Sequence, residues 1–263
     1  MDLGLKGKRA LVVGASRGLG YAVANTLAAE GCHVAISSRN AEKLTASAKE
    51  IATAHGIPVA SLPADMSAAS APAKLIIAAV EALGGLDLLV TNAGGPPPGA
   101  FESFSEEDWA KGVDLSFMSH VRLIREALPY LRQSDAPSVL TITSYTVKQP
   151  LNNLILSNSI RAATVALTKS LSSELGGEGI RFNSILPGWT MTERVTQLME
   201  ARAKANGTSV EEETAKQTAE SALGRVGEPE EFAKPAVFLL SPAASYITGV
   251  SLLVDGGITK GMM

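Results

Sequence analysis

Residues 9–13, Arg9-Ala10-Leu11-Val12-Val13, run directly into Gly14-Ala15-Ser16-Arg17-Gly18-Leu19-Gly20, and a helical pattern follows over 21–30. A strand that ends in closely spaced glycines and opens a helix leaves the chain few ways to fold. Glycines let the backbone turn sharply and approach a pyrophosphate, whose charge then sits at the helix N-terminus. The spacing is G-x-x-x-G-x-G, not G-x-G-x-x-G. A glycine-rich turn on its own is weak, since plain structural turns share it; the placement between strand and helix gives it weight.

The rest of the chain repeats this alternation. Segments 33–37, 59–62, 86–90, 139–143, 180–186 and 251–254 read as strands, each after the first separated from the last by a break and a helical stretch. Their near-continuous apolar character suits a sheet buried on both faces. Hydrophobic residues at 46% allow a large core, while only 5% aromatics favours close helix-on-sheet packing over a β-sandwich. The expected fold is α/β, a doubly wound parallel sheet of Rossmann type with about seven strands and helices on both faces. One domain is expected over residues 1–263, without repeats or linkers. Gly94-Gly95-Pro96-Pro97-Pro98-Gly99 reads as a loop tip, and polar 191–223 as a helical excursion able to cover a site, turning at Ala205-Asn206-Gly207.

A net charge of −3 gives no electrostatic case for nucleic acid. The single cysteine, Cys32, excludes an intrachain disulfide and fits a reducing compartment. Lys6, Lys8 and Arg9 lead into a short strand, unlike a signal peptide, and apolar runs such as 75–80 fall far short of the ~18 residues of a membrane span. A cytoplasmic protein without membrane contact is expected.

Five elements in order carry a resemblance: the glycine turn, Asp65 after the third strand, Asn92-Ala93-Gly94 after the fourth, Pro187-Gly188 after the sixth, and Val254-Asp255-Gly256-Gly257 near the end. Together they resemble the short-chain dehydrogenase/reductase family, nearest its 3-oxoacyl-carrier-protein-reductase-like members. Val13 stands where the family usually has Thr. The resemblance implies a nicotinamide dinucleotide along Gly14, Ser16, Arg17, Gly18, Leu19 and Gly20. It places Asp65 and Met66 at the adenine, Asn92, Ala93 and Gly94 along the groove, and Pro187, Gly188, Thr190 and Thr192 at the nicotinamide. It also implies a homotetramer acting on a small-molecule substrate. The second strand ends Ile36-Ser37-Ser38-Arg39, without the acid that would bind a ribose 2′-hydroxyl. With Ser38 beside them, Arg39 and Arg17 can clamp a 2′-phosphate, so NADP(H) is expected over NAD(H).

The family's chemistry uses a Ser, a Tyr and a Lys, with an Asn completing a proton relay. Ser144 fits the serine, but Ser157 stands at the tyrosine position, Arg161 at the lysine and Asp114 at the asparagine. Arg161 also falls where the family lysine orients the cofactor ribose. A serine hydroxyl is a far weaker acid than a phenol of pKa ~10, and arginine keeps its proton at ordinary pH. An ion pair between Asp114 and Arg161 is one expectation. Tyr145 could supply a phenol, although alternation at a strand end turns it away from the side Ser144 faces. Trp189 is expected to line the substrate pocket, and Trp109 to anchor its helix to the core. His33, His55 and His120 lack metal-ligand spacing, so no metal is expected. Three functions follow: an NADP(H)-dependent oxidoreductase with non-standard catalytic residues, a catalytically inactive NADP(H)-binding sensor or partner subunit, or a non-redox enzyme on the same scaffold.

Overall fold

The computed structural model describes residues 1–261. Strands β1 (Arg9–Val13), β2 (His33–Ser37), β3 (Val59–Ser61), β4 (Leu88–Thr91), β5 (Ser138–Ile142), β6 (Arg181–Pro187) and β7 (Ser251–Val254) form one sheet in the order β3-β2-β1-β4-β5-β6-β7. All neighbouring pairs are parallel. Three strands keep the bounds expected from sequence, and the rest shift by a residue or two. Just before β4, Asp87 donates its backbone N–H to the Arg9 carbonyl at 2.9 Å and accepts at its own carbonyl from the Ser138 N–H at 3.0 Å. Its carboxylate accepts from the backbone N–H of Arg9 at 2.8 Å, from Arg9 Nη2 at 2.7 Å and from Ser134 at 2.6 Å.

Alternation along β1 accounts for the two cores. Ala10 and Val12 join the layer that holds Val23, Leu27, Leu44 and Phe232, while Leu11 and Val13 join the layer that holds Leu75, Ile76, Leu123 and Ile124. The first layer packs α1 (Gly18–Ala29), α2 (Ala41–His55) and, from the chain's far end, helix Pro229–Leu240 on one face. The other face carries α3 (Ala71–Leu83), then α4 (Glu106–Val113), α5 (Ser119–Leu131) and α6 (Ile155–Glu174). Between β6 and β7 lie α7 (Glu193–Asn206), ended by Gly207 at φ 66, and α8 (Val210–Ala219); Pro229–Leu240 is α9.

Two local features position the site. Sequential strand order reverses between β1 and β4, which opens a crevice at their C-terminal ends. Between α4 and α5 the chain makes a π-helical turn, Asp114–Met118, an irregularity often found where helices serve a site. Among the described residues no helix is long and apolar enough to cross a membrane.

Candidate functional site

The crevice is a groove of about 530 Å³. Its floor is set by backbone packing. Gly14 sits at φ 69, and a Cβ there would fall 2.7 Å from both the amide nitrogen and the carbonyl oxygen of Asn92. Asn92 Nδ2 donates to the Gly14 carbonyl at 3.2 Å, so the turn after β1 is fastened to the loop after β4. A Cβ on Gly20 would lie 2.3 Å from the Gly14 carbonyl oxygen, so α1 can rise this close to the turn only with glycine. Helix α1 has no side-chain N-cap and no acid in its first turn, which leaves its leading N–H groups for an anion.

Gly14, Ser16, Arg17, Gly18 and Leu19 form one wall, joined by Ser38 and Arg39 beyond β2. Asp65, Met66, Asn92, Ala93 and Gly94 form the opposite wall. Arg161, Pro187 and Thr192 close the far end. Most of the residues expected to hold a dinucleotide therefore line a single groove. Three do not line it. Gly20 packs behind the turn, Gly188 backs onto Asp255, and buried Thr190 opens with Trp189 onto a smaller neighbouring pocket.

Sequence reasoning missed Lys43 and Thr143, both of which line the groove. Asn40 caps α2 by accepting from the Lys43 backbone at 2.8 Å; an Asn followed by a helical pattern was the available signal. Arg17, Arg39 and Lys43 thus gather at one end. Glu193 answers them: it ion-pairs with Arg17, and hydrogen bonding from Arg17 holds its carboxyl below the usual range. Asp65 is likewise held down, first by the Ser67 backbone N–H at 3.0 Å and further by Arg39. The hydroxyls of Ser38 and Thr143 are buried in the groove without hydrogen-bond partners among the described residues. Two waiting hydroxyls, three cations and a bare helix N-terminus fit a phosphorylated dinucleotide.

The expected catalytic positions lie at the β5 end, outside the groove lining except for Arg161. Ser144 is half-buried and accepts from the Thr146 N–H at 3.2 Å, capping a short 3-10 turn, Tyr145–Val147. Ser157 and Arg161 stand one turn apart on α6, and Arg161 Nη1 donates to the Thr143 carbonyl at 2.9 Å. The ion pair expected between Asp114 and Arg161 is found instead between Asp114 and Arg122, at 2.6 Å, along the continuous α4–α5 helical stretch. His120, buried behind the site, bonds Thr91 Oγ1 through Nδ1 at 2.7 Å. Burial, and then the Arg161 charge, pushes its imidazole down to about 3, so it stays neutral. Tyr145 is buried, and burial followed by nearby Glu220 pushes its phenol up to about 12. Trp109 does not reach the core; half-buried, it packs edge-on against exposed Phe101, with centroids 6.3 Å apart.

Comparison with known proteins agrees with this geometry. A family model described as enoyl-(acyl carrier protein) reductase matches residues 14–259. A tropinone reductase homologue from Arabidopsis thaliana is 34% identical, over 97% of this chain and 93% of its own. The L-sorbose reductase of Gluconobacter frateurii, solved with NADPH and L-sorbose, superposes with a TM-score of 0.95 at 30% identity, over 100% of both chains. A Pseudomonas aeruginosa short-chain oxidoreductase, solved with NADPH and said to contain an atypical catalytic center, superposes with a TM-score of 0.88 at 27% identity, over 97% of this chain and 99% of that one.

Proposed function

The chain belongs to the short-chain dehydrogenase/reductase family, and from that premise we propose that it is an NADP(H)-dependent oxidoreductase interconverting a carbonyl and an alcohol. The reading rests on one observation above others: a backbone-locked groove whose cationic end joins Arg17, Arg39 and Lys43. NADP(H) binding in related solved structures supports the same cofactor. When bound, the cofactor exchanges a hydride with the substrate carbon.

The chain's own residues would do the rest without a phenol. Arg17 and Arg39 bind the 2′-phosphate as charge-assisted donors. Arg161, fixed to the Thr143 carbonyl, keeps its charge and orients the ribose, but it gives up no proton. Ser144 Oγ holds the substrate oxygen, and the Ser157 hydroxyl positions the water that exchanges the proton with it. Such a centre works more slowly than one with a tuned phenol.

Purified chain with NADPH and a panel of aldehydes, ketones and 3-oxoacyl thioesters should show cofactor oxidation with at least one class. No oxidation with any of them would remove the catalytic reading. The second reading, a partner subunit or sensor that binds NADP(H) without turnover, is favoured by the joint loss of phenol and lysine at Ser157 and Arg161. Saturable NADPH binding without oxidation would select it. A homotetramer in the cytoplasm belongs to the same proposal, and light scattering tests its assembly.

A further inference from the structure

The groove's cationic end already holds an anion of the chain's own. Glu193, the first residue of α7, lines the groove and ion-pairs with Arg17, the N-cap of α1, both side chains being half exposed. The other Glu193 oxygen accepts from Gln197 Nε2, one turn along α7, at 3.1 Å. The carboxylate is thus held between its own helix and the glycine turn. Thr192 caps α7 by accepting from the Val195 N–H at 3.4 Å. Its methyl carbon lies 3.4 Å from where a Cβ on Gly18 would stand, so the start of α7 comes down onto the glycine turn.

These contacts cross the crevice. Strand β6 lies three places from β1 in the sheet, so the segment from Pro187 to Glu193 bridges the open ends of β4 and β5. Behind the bridge the backbone is pinned: the Met191 N–H donates to the Gly227 carbonyl at 2.8 Å, and the Gly227 N–H to the Trp189 carbonyl at 3.0 Å. Further along α7, Arg202 stacks over the Trp189 indole, 5.3 Å from the ring centroid. The rear of α7 is therefore held by the loop after β6, and its front by a cation that the cofactor also needs.

Two anions cannot share that cation at no cost. A phosphate dianion competes for the Arg17 guanidinium with twice the charge of a carboxylate, and it repels the carboxylate it replaces. An exposed ion pair is weak enough to yield to it. Resting on the reading that the groove takes NADP(H), we propose that Glu193 makes α7 a strap, fastened across the empty groove and released by the 2′-phosphate of the cofactor. A dinucleotide without that phosphate leaves the strap fastened. The 2′-phosphate then does more than add affinity: it frees the front of the α7–α8 excursion when the right cofactor has entered.

The test uses 2′,5′-ADP, which carries the 2′-phosphate without the nicotinamide half, and 5′-AMP, which lacks that phosphate. Amide hydrogen exchange over residues 195–199 is followed by mass spectrometry in the unaltered chain and in Glu193→Gln. With no ligand, Glu193→Gln should exchange about two- to fivefold faster there, the range of an exposed pair. Saturating 2′,5′-ADP should bring the unaltered chain to about the same rate and add little to Glu193→Gln. The same concentration of 5′-AMP should change neither. Equal exchange in the two empty chains overturns the proposal, as does exchange that 2′,5′-ADP leaves unchanged or slows, or that 5′-AMP speeds equally. Binding of 2′,5′-ADP is read separately by calorimetry. Saturable binding without faster exchange would defeat the strap alone. No saturable binding would defeat the NADP(H) reading and the release step with it, while faster exchange in empty Glu193→Gln would still show the fastening.

Discussion

The β1–β4 end and the β5–β7 end of the crevice are built on different principles. At the first, the backbone does the work: Gly14 is fastened to Asn92, Gly20 is pressed against Gly14, and α1 begins uncapped. At the second, side chains on separate elements decide the outcome, and several polar atoms there, Thr143 Oγ1 and Thr146 Oγ1 among them, have no hydrogen-bond partner among the described residues. A site made from backbone holds its geometry through most substitutions, so it can stay whole while the chemistry beside it changes. That is the state of this chain, whose cofactor groove is complete next to Ser157 and Arg161.

Five variants sharpen the contrast. The largest effect is expected from Gly20→Ala, since its Cβ would fall 2.3 Å from a backbone oxygen that cannot swing away. NADPH affinity, followed by fluorescence titration, should fall at least about a hundredfold. Gly177→Ala, with nothing within 4 Å of the added Cβ, should leave it unchanged. Placing Tyr and Lys at the other end, with Ser157→Tyr and Arg161→Lys together, should raise generic carbonyl reduction by about ten- to a hundredfold at unchanged NADPH affinity. Loss of NADPH binding in that double variant would mean that the two ends are not separable.

His120, bonded to Thr91 at the end of β4, offers a pH test. Its folded-state value of about 3 lies below the ordinary 6.5, so its contribution to stability is complete above 6.5 and is lost as pH falls from there toward 3. Denaturant midpoints should therefore decline over that window, and His120→Gln should decline less steeply. An equal slope would place the acid sensitivity elsewhere. The smallest effect is expected at Glu193, whose exposed ion pair occupies Arg17. Glu193→Gln should tighten NADPH by no more than about fivefold, the reach of a surface pair. Weaker binding would show that Glu193 helps to hold the cofactor.

The same division explains what the sequence disclosed. Gly14–Gly20, Asn92-Ala93-Gly94 and the alternating strands were legible because sheet geometry and close approach allow few residue types at fixed spacings. Lys43 was overlooked because it joins the groove only through the way α2 is capped, by Asn40. Position alone points Asp114 to Arg161, but Asp114, at the start of the π-helical turn, pairs with Arg122 on the same helical stretch. Residue type alone points Trp109 to the core, yet Phe101 meets it at the surface. The stacking of Arg202 on Trp189 joins α7 to the loop after β6, and no local pattern encodes that.

The central claim is that the groove holds NADP(H) through its cationic end, independently of the altered catalytic residues. Titrating the chain and its Arg39→Ala variant with NADPH and with NADH tests it most directly. The account predicts NADPH at least about tenfold tighter than NADH in the unaltered chain, with the gap largely closed in Arg39→Ala and NADH little changed. Equal affinities in the unaltered chain, or a gap untouched by Arg39→Ala, would contradict it.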